Sequence, residues 1–279
     1  MKKISRRSFL AAAGLSVAAL ALTACGGSSA STASSVASSA ASSEAASTSA
    51  AAGELVTVEA GKLTMATNAT FPPYEMTTDA GDIEGIDVET AQAIADKLGL
   101  ELQIDDMDFD AALLSVQQGK ADIVMAGVTV TDERKAVMDF SDSYATGIQS
   151  IIVPEGSDIA SPDDLAGKKI GTQRGTTGYI YCSDDFGDDA VVAYDNGLTA
   201  VQALNNGQVD AVVIDNAPAK EYVAANPGLA ILDTSYAEED YAIGMAKGSS
   251  LEAAVNAALE ELKADGTLQA IVDKYITAE

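Results

Sequence analysis

One pattern occurs twice in the sequence: QQGKADIVMAG at residues 117–127 and NNGQVDAVVID at residues 205–215. Each segment runs from the end of a helical stretch through a glycine turn and an aspartate into a nearly all-apolar strand. Apolar strands of this kind are typical of parallel sheets that are covered on both faces. The repetition therefore predicts two half-sized α/β lobes and not one large sheet.

Short strands alternate with amphipathic helices over most of the chain, which is the pattern of an α/β fold. The helix at residues 88–99 has one apolar face and ends at Gly99, a good C-cap residue. The helix at residues 249–266 is expected to begin at a serine cap and to end at a glycine. Further strands are expected at residues 63–67, 121–127, 168–173, 190–194, 210–215 and 241–248.

Residues 1–24 are typical of an export signal peptide: a basic segment precedes an apolar run that is too short for a comfortable membrane span. The run ends in LTAC, which resembles the lipobox of bacterial lipoproteins, in which the cysteine, here Cys25, is diacylated and becomes the mature N-terminus. The alternative is an ordinary signal peptide with a chance cysteine. SRRSFL also resembles a twin-arginine export motif, although Ala11 stands in place of its frequent lysine, so the export route stays open.

Residues 25–53 combine the expected lipidated Cys25 with a stretch of Ser, Ala, Thr and Gly that has a single charge, at Glu44. As a flexible coil of about 28 residues, this stretch would span roughly 30 Å root-mean-square. An Ala-rich helix is the alternative, but the density of Ser and Thr and the lack of apolar periodicity argue against it. We therefore expect a tether that holds a folded domain near a membrane.

Composition excludes several classes of function. The chain has 16 Lys and Arg residues against 42 Asp and Glu residues, whereas nucleic acids and anionic lipids are bound by basic faces. It has no histidine, which excludes the triads and zinc sites that need one. Because Cys182 has no base partner, we expect it to be a core residue and not a nucleophile. We expect no nucleic acid, metal or cofactor.

Five segments carry a resemblance to a known family. In chain order they are LTMATNATFPPYE, GIDVETAQAIADKLG, GKADIVMAGVTVTDERKAVMDFSDSY, GKKIGTQRGTT and VDAVVID. They resemble the polar amino-acid solute-binding proteins of ABC importers, and the glutamine-binding members are the most similar. The similarity runs from about residue 58 to the end of the sequence. Its most specific part is the TxTxER segment followed by DFSxxY.

The resemblance implies a two-lobed periplasmic-binding-protein type II fold. Each lobe would be a mostly parallel sheet flanked by helices, and two crossover hinge strands would join the lobes, which close on one amino acid. The crossovers would fall near residues 144–148 and 238–241. Residues 54–146 plus 241–279 would then form lobe 1, and residues 147–240 would form lobe 2.

The resemblance also implies a site for the carboxylate of an α-amino acid. Arg134 matches the family arginine that grips this group, and the backbone N–H groups of Thr129 and Thr177 would add donors. Thr131 is a candidate N-cap for the helix that carries Arg134. From the residues alone, the alternative is a surface ion pair of Arg134 with an acid in the first turn of that helix, Asp132 or Glu133.

The ligand ammonium would meet Asp215, the Thr129 hydroxyl and the Gly127 carbonyl. As an alternative or additional role, Asp215 would cap the helix that follows it. Phe71 and Phe109 match the aromatic residues that enclose the ligand stem, although both are compatible with an ordinary core. The expected ligand-binding residues are Asn68, Phe71, Phe109, Ala126, Gly127, Thr129, Arg134, Gln173, Thr176, Thr177 and Asp215.

Three positions depart from the glutamine-binding pattern. Where those proteins have an acid, a lysine and a histidine near the ligand side chain, this chain has Asn68, Gln173 and Ile214. A charged ligand group needs a compensating charge when it is desolvated, and each of the three changes removes a charged or titratable group. We therefore expect a neutral polar or sulfur-containing amino acid, unless Glu75 or Asp108 faces the cleft and serves a cationic side chain.

The leading hypothesis is a monomeric, lipid-anchored binding protein on the outer face of the cytoplasmic membrane. It would deliver an L-amino acid to the permease and ATPase of an ABC importer. Two other classes of protein share the fold. One is an enzyme similar to cyclohexadienyl dehydratases, but the sequence has no motif that would place an acid over a leaving group. The other is an amino-acid sensor, which would usually continue into a membrane helix.

Overall fold

Two mixed β-sheets and their helices form most of residues 55–276, the part of the chain that the computed structural model describes. A third, small sheet has the three strands β2 (Thr70–Phe71), β3 (Glu75–Thr77) and β4 (Ile83–Glu84). The expected signal peptide, the lipidated cysteine and the tether lie outside the described residues. Within residues 55–276, no helix has the length and apolar character needed to cross a bilayer.

The order of elements follows the predicted alternation of strands and helices. The other strands are β1 (Lys62–Thr67), β5 (Glu101–Asp106), β6 (Ile123–Val124), β7 (Met138–Phe140), β8 (Ala145–Pro154), β9 (Ile170–Gln173), β10 (Val191–Tyr194), β11 (Ala211–Asp215), β12 (Leu229–Ile231), β13 (Ala237–Tyr241) and β14 (Gly244–Ala246). The helices are α1 (Ile86–Leu98), α2 (Phe109–Gln117), α3 (Asp132–Val137), α4 (Thr177–Phe186), α5 (Gly197–Asn205), α6 (Asn216–Ala225), α7 (Glu252–Ala264) and α8 (Thr267–Tyr275).

The first sheet has the strand order β5-β1-β6-β14-β7. β1 is parallel to β5 and β6, whereas β14 is antiparallel to β6 and β7. α1 packs against this sheet and against α7 and α8, and it ends at Gly99 in the left-handed conformation, as predicted. The last two described helices therefore return to the first sheet.

The second sheet has the strand order β10-β9-β11-β8-β12, and β13 also pairs with β8. β9 is parallel to β10 and β11, whereas β8 is antiparallel to β11, β12 and β13. Each sheet is thus parallel over three strands only, which is less than the resemblance implied. The antiparallel strands are those that carry the chain between the sheets or lie next to such a strand.

β8 and β13 are the two connections between the sheets, and they lie where the crossovers were predicted. They pair with Ala145 opposite Tyr241 and Gly147 opposite Glu239. Gly147 is required at this place, because a Cβ would lie 2.5 Å from the Tyr241 ring and 2.7 Å from Asp215 Oδ1. The glycine therefore allows a buried tyrosine and a buried aspartate to meet at the junction of the sheets.

The repeated pattern of glycine, aspartate and apolar strand has a structural explanation. Asp122 precedes β6, and its Oδ2 accepts a hydrogen bond from the Thr64 N–H of the neighbouring β1 at 2.8 Å. Asp210 precedes β11, and its Oδ2 accepts one from the Lys169 N–H, just before the neighbouring β9, at 2.7 Å. In both sheets the aspartate fixes the start of an apolar strand against the strand beside it.

Three predicted elements differ from the structure in their bounds. The apolar run at 121–127 is a strand only over β6, because the chain turns at Gly127, where φ is 55°. The run at 241–248 is divided between β13 and β14, because the chain passes there from one sheet to the other. The helix predicted at 249–266 begins later, at Glu252, because the Ser249 hydroxyl accepts the Leu251 N–H in a turn and does not cap α7.

Candidate functional site

A pocket lies between the two sheets, near the carboxyl ends of their parallel strands. This is the edge at which open α/β sheets bind ligands. All eleven residues that the resemblance marked as ligand-binding lie together here, and Glu75 joins them. The lining residues are Asn68, Phe71, Glu75, Phe109, Ala126, Gly127, Thr129, Arg134, Gln173, Thr176, Thr177 and Asp215.

Arg134 is held rigidly at the start of α3. The Thr131 hydroxyl accepts a hydrogen bond from the Arg134 N–H at 3.2 Å and caps the helix, as predicted. The Arg134 residue is only 9% exposed, and its guanidinium lies 5.4 Å from the centroid of the Phe109 ring. Nη1 donates to the Thr129 carbonyl at 2.8 Å, and Nη2 donates to the Gly175 carbonyl at 3.1 Å. A guanidinium has five N–H donors, so others remain for an anion.

The surface ion pair considered for Arg134 is not formed. Asp132 and Glu133 are both exposed, and among the described residues neither forms an ion pair with the guanidinium. Burial lowers the pKa of Arg134, and the charge of Glu239 opposes this effect. The arginine therefore lies inside the molecule and faces the pocket.

The N-terminus of α4 adds backbone donors from the second sheet. Thr176 is its N-cap, and the Thr176 hydroxyl accepts from the Tyr179 N–H at 3.3 Å. Thr177 is the first helical residue, so its N–H has no partner inside the helix. The partial positive charge of a helix N-terminus favours anions. Because Arg134 donates to Gly175 just before this helix, the guanidinium and the helix terminus lie close together, where both are suited to an anion.

Asp215 supplies an acceptor in the same pocket. It occupies the N-cap position of α6, but its side chain makes no capping hydrogen bond. Oδ2 instead accepts from Gln149 Nε2 at 2.6 Å, while the buried Oδ1 has no hydrogen-bond partner. Burial raises the pKa of Asp215 to about 7. Because an unpaired buried acceptor is costly, Oδ1 is suited to accept from a cationic group.

Gly127 is fixed by a buried acid behind the pocket. Its N–H donates to Asp87 Oδ2 at 3.0 Å, and Asp87 is fully buried. A Cβ at this position would lie 2.8 Å from the Phe71 ring, and the φ of 55° also favours glycine. The contact with Asp87 therefore fixes the peptide that precedes Gly127, and the carbonyl that the resemblance assigned to the ammonium belongs to the next peptide.

Phe71 and Phe109 form apolar walls of the pocket and also belong to the core. They are 7% and 6% exposed, and each is a member of a cluster of buried hydrophobic residues. Phe71 stacks on Tyr74, with ring centroids 5.9 Å apart. Both residues are thus core residues that also line the pocket, because the core extends to it, and contact with a ligand stem stays a prediction.

Neutral amides lie at another part of the pocket. Gln173 Nε2 donates to Asn68 Oδ1 at 2.9 Å and thereby links the two sheets. Asn68 Nδ2 donates to the Met107 carbonyl at 2.9 Å, and the Thr70 hydroxyl donates to Asn68 Oδ1 at 3.0 Å. Ile214, the third departure from the glutamine-binding pattern, is buried but does not line the pocket. Of the three departures, only Asn68 and Gln173 therefore change the lining of the pocket.

Acidic residues were the main omission from the predicted site. Glu75 is fully buried and lines the pocket, whereas Asp108, the other acid considered, does not. Burial, followed by the charge of Asp87, raises the pKa of Glu75 well above its usual range. Glu239 is 6% exposed and contacts pocket residues through hydrogen bonds. Its position two residues before Tyr241, on the same face of a strand, was the available signal.

Cys182 is a core residue, as predicted. It lies in α4, is fully buried, and belongs to a hydrophobic cluster of the second sheet. Burial raises the pKa of its thiol to about 12, which keeps the sulfur protonated and unreactive.

We expect the free energy of unfolding of the ligand-free protein to fall as the pH rises from about 4 to about 7. In this range the folded chain retains a proton on Asp215, whose pKa is raised from 3.8 to about 7, whereas the unfolded chain has released it. Stability decreases with pH wherever the folded state binds more protons. Asp87, with a pKa of about 6, acts in the same direction.

Urea unfolding of the wild type and of Asp215→Asn at pH 5 and pH 8 tests this expectation. The variant should gain stability relative to the wild type at pH 8, because it no longer buries a charge there. An equal difference between the two proteins at both pH values would contradict the assignment.

Comparison with known proteins places the chain in a family. A profile of the bacterial extracellular solute-binding proteins, family 3, matches residues 63–278. A probable histidine-binding protein of Neisseria gonorrhoeae is 34% identical over 276 residues, which cover 96% of this chain and 95% of the relative. The L-cystine-binding protein TcyJ of Escherichia coli K12 is also 34% identical, over 79% of this chain and 85% of its own length.

A solved structure gives the same result. An ancestral arginine-binding protein bound to glutamine is 43% identical, with a TM-score of 0.75, and the match covers 78% of this chain and 99% of that protein. These relatives are named as binding proteins and not as enzymes, so the dehydratase alternative finds no support among them. The chain therefore belongs to the bacterial extracellular solute-binding proteins of family 3 and has their two-lobed type II periplasmic-binding-protein fold.

Proposed function

We propose that this protein captures one L-amino acid in the pocket and delivers it to the permease of an ABC importer. The observation that carries the proposal is the presence of a donor subsite and an acceptor subsite in one pocket. Arg134 and the N-terminus of α4 offer donors for a carboxylate, and the unpartnered Asp215 Oδ1 offers an acceptor for an ammonium. A free α-amino acid presents these two groups on the same carbon atom. The relatives, which are named for histidine, cystine and arginine binding, support the same ligand class.

The mechanism is closure of two lobes about β8 and β13, without chemical change of the ligand. We assign residues 54–146 plus 241–279 to lobe 1 and residues 147–240 to lobe 2. Contacts between these lobes support closure on the ligand. Tyr222 donates its hydroxyl hydrogen to the Thr70 carbonyl at 2.6 Å, which adds to the bond between Gln173 and Asn68 and to that between Arg134 and Gly175.

The ligand that we propose is neutral polar or sulfur-containing. Asn68 and Gln173 are uncharged and hydrogen bonded to each other. Glu75 is the acid that could serve a cationic side chain, but its raised pKa favours the neutral form. A desolvated cation without a compensating charge is unfavourable. The pocket thus supports glutamine or cystine better than arginine or lysine.

Sequence features support an extracytoplasmic location. We propose that the signal peptide is removed before Cys25, that this cysteine is acylated, and that the tether up to residue 53 holds the binding protein at the outer face of the cytoplasmic membrane. The protein would act as a monomer with a permease and an ATPase as partners.

Thermal shift measurements test the ligand class. The mature chain with Cys25→Ser, which removes the acyl acceptor, is heated with each standard L-amino acid and with cystine, ornithine and citrulline. We expect a few neutral polar or sulfur-containing ligands to raise the melting temperature by several degrees, because ligand at 100 times its Kd stabilises by roughly 2.7 kcal/mol. A shift with arginine or lysine alone would overturn the proposed specificity. The absence of any shift would overturn amino-acid binding.

A further inference from the structure

Glu239 is a buried acid that contacts both lobes and both connecting strands. It lies on β13 opposite Gly147 of β8, and it is 6% exposed. Its neighbours along the strand, Glu238 and Asp240, are exposed. Solvent therefore stabilises the charges of Glu238 and Asp240, whereas Glu239 depends on partners inside the protein.

Three donors converge on one oxygen of Glu239. Oε2 accepts from the Thr177 hydroxyl at 2.9 Å, from the Thr129 hydroxyl at 3.0 Å and from Gln149 Nε2 at 3.0 Å. Thr129 follows β6 of the first sheet in the chain and forms an isolated bridge with Tyr241 of β13. Thr177 begins α4, which packs against the second sheet, and both threonines line the pocket. A single carboxylate oxygen thus connects the two walls of the pocket with the strands that join them.

These contacts determine whether two hydroxyl groups act as donors or as acceptors towards the pocket. A threonine hydroxyl has one hydrogen and two lone pairs, and a carboxylate can only accept. The hydroxyl hydrogens of Thr129 and Thr177 are therefore both committed to Glu239. The two hydroxyl oxygens lie 3.4 Å apart, and neither has a hydrogen left to give to the other. Each oxygen then offers only lone pairs to the pocket, so a donor placed against them is favourable.

Asp215 extends the same acceptor surface. Gln149 Nε2 donates to both Asp215 Oδ2 and Glu239 Oε2, so the two acids are neighbours. The remaining oxygens, Asp215 Oδ1 and Glu239 Oε1, are buried without a hydrogen-bond partner. Two acids and two hydroxyl acceptors at one place form a surface that is suited to a group with several N–H donors and a positive charge.

We propose that Glu239 is a positioning residue that turns the Thr129 and Thr177 hydroxyls into acceptors for the α-ammonium group of the ligand. The inference rests on the proposed function and deepens it, because it explains the preference for an amino group by Glu239, an acid on the connecting strand β13. Replacement of Glu239 by glutamine adds an N–H₂ donor beside the two hydroxyls. One hydroxyl can then accept from this amide and turn its own hydrogen towards the pocket, where it opposes an ammonium.

Isothermal titration calorimetry with Glu239→Gln tests the proposal. The probes are the tightest ligand among L-glutamine, L-cystine, L-arginine and L-histidine and the analogue of that ligand without its α-amino group, which is glutaramic acid for glutamine. Glu238→Gln, an exposed change on the same strand, is the matched control. We expect Glu239→Gln to raise the Kd of the amino acid by roughly ten- to hundredfold and the Kd of the analogue by less than about threefold. The control should bind both as the wild type does.

The outcomes separate the inference from the proposed function. Wild-type protein that binds none of the four amino acids and shows no thermal shift with the other amino acids tested would overturn the proposed function itself. Wild-type binding with an unchanged Kd in Glu239→Gln, or with an equal loss for the amino acid and its analogue, would overturn the role of Glu239. If circular dichroism shows that Glu239→Gln does not fold, Thr177→Val replaces it, because it removes one positioned hydroxyl and leaves the acid. A loss confined to the amino acid is again expected, and an equal loss for both ligands would again overturn the proposal.

Discussion

Replacement of Arg134 by alanine is expected to abolish measurable amino-acid binding. The guanidinium is the buried cation of the pocket, and its loss leaves the ligand carboxylate without a charged partner. Removal of one partner from a buried ion pair costs about 3–5 kcal/mol, which corresponds to roughly a hundred- to several-thousandfold in Kd. The variant also loses the hydrogen bonds to the Thr129 and Gly175 carbonyls, which come from different lobes.

Arg174 supplies a matched control for this prediction. It is also an arginine near the pocket, but its side chain is 56% exposed and lies 3.7 Å from Asp195. Arg174→Ala should therefore change the Kd by less than about threefold, because exposed ion pairs contribute little. Calorimetric titration of both variants with the ligand found by thermal shift decides the question. Binding by Arg134→Ala within tenfold of the wild type would show that the carboxylate is held elsewhere.

Replacement of Gly147 by alanine is expected to impair both stability and binding. The added methyl group would lie 2.5 Å from the Tyr241 ring and 2.7 Å from Asp215 Oδ1, and Tyr241 is fully buried and cannot move into solvent. Overpacking of this kind costs about 1–3 kcal/mol of stability. Displacement of Asp215 should raise the Kd of the ligand by roughly tenfold or more, since a charge-assisted hydrogen bond contributes about 1.5–3 kcal/mol.

Ile148→Ala provides the comparison, because Ile148 is the next residue of β8 and is 37% exposed. Urea unfolding and calorimetry of both variants measure the two effects separately. Equal stability and equal affinity of Gly147→Ala and the wild type would mean that the connecting strands can separate locally without cost. That result would contradict the tight junction described here.

Sequence patterns predicted the elements that depend on local spacing. The apolar strands at β1, β9 and β11 and the capped helices α1 and α3 were correct, because their signals lie within a few residues. Apolar spacing did not predict the break between β13 and β14, and only the resemblance indicated a crossover near residues 238–241. An unbroken apolar run cannot reveal that its two halves belong to different sheets.

The same limit separates the predicted and unpredicted site residues. Motif resemblance located Arg134 and Asp215, because each lies inside a recognisable segment. Glu75, Asp87 and Glu239 are acids in an acidic chain, and their burial depends on strands and helices far apart in sequence. Ile214 shows the reverse error: its position in the motif suggested the pocket, but it packs elsewhere.

The strand order of the first sheet has a consequence for how the protein is made. β14 lies between β6 and β7, yet it follows every strand of the second sheet in the chain. Because a chain emerges from its N-terminus, the second sheet can be completed while β6 still has an open edge and β7 has no neighbour. An open edge of this kind favours aggregation. Residues 244–246 are therefore the last strand to be added to either large sheet. A chain that ends before them would have a complete second sheet and a first sheet with an unpaired, aggregation-prone edge at β6.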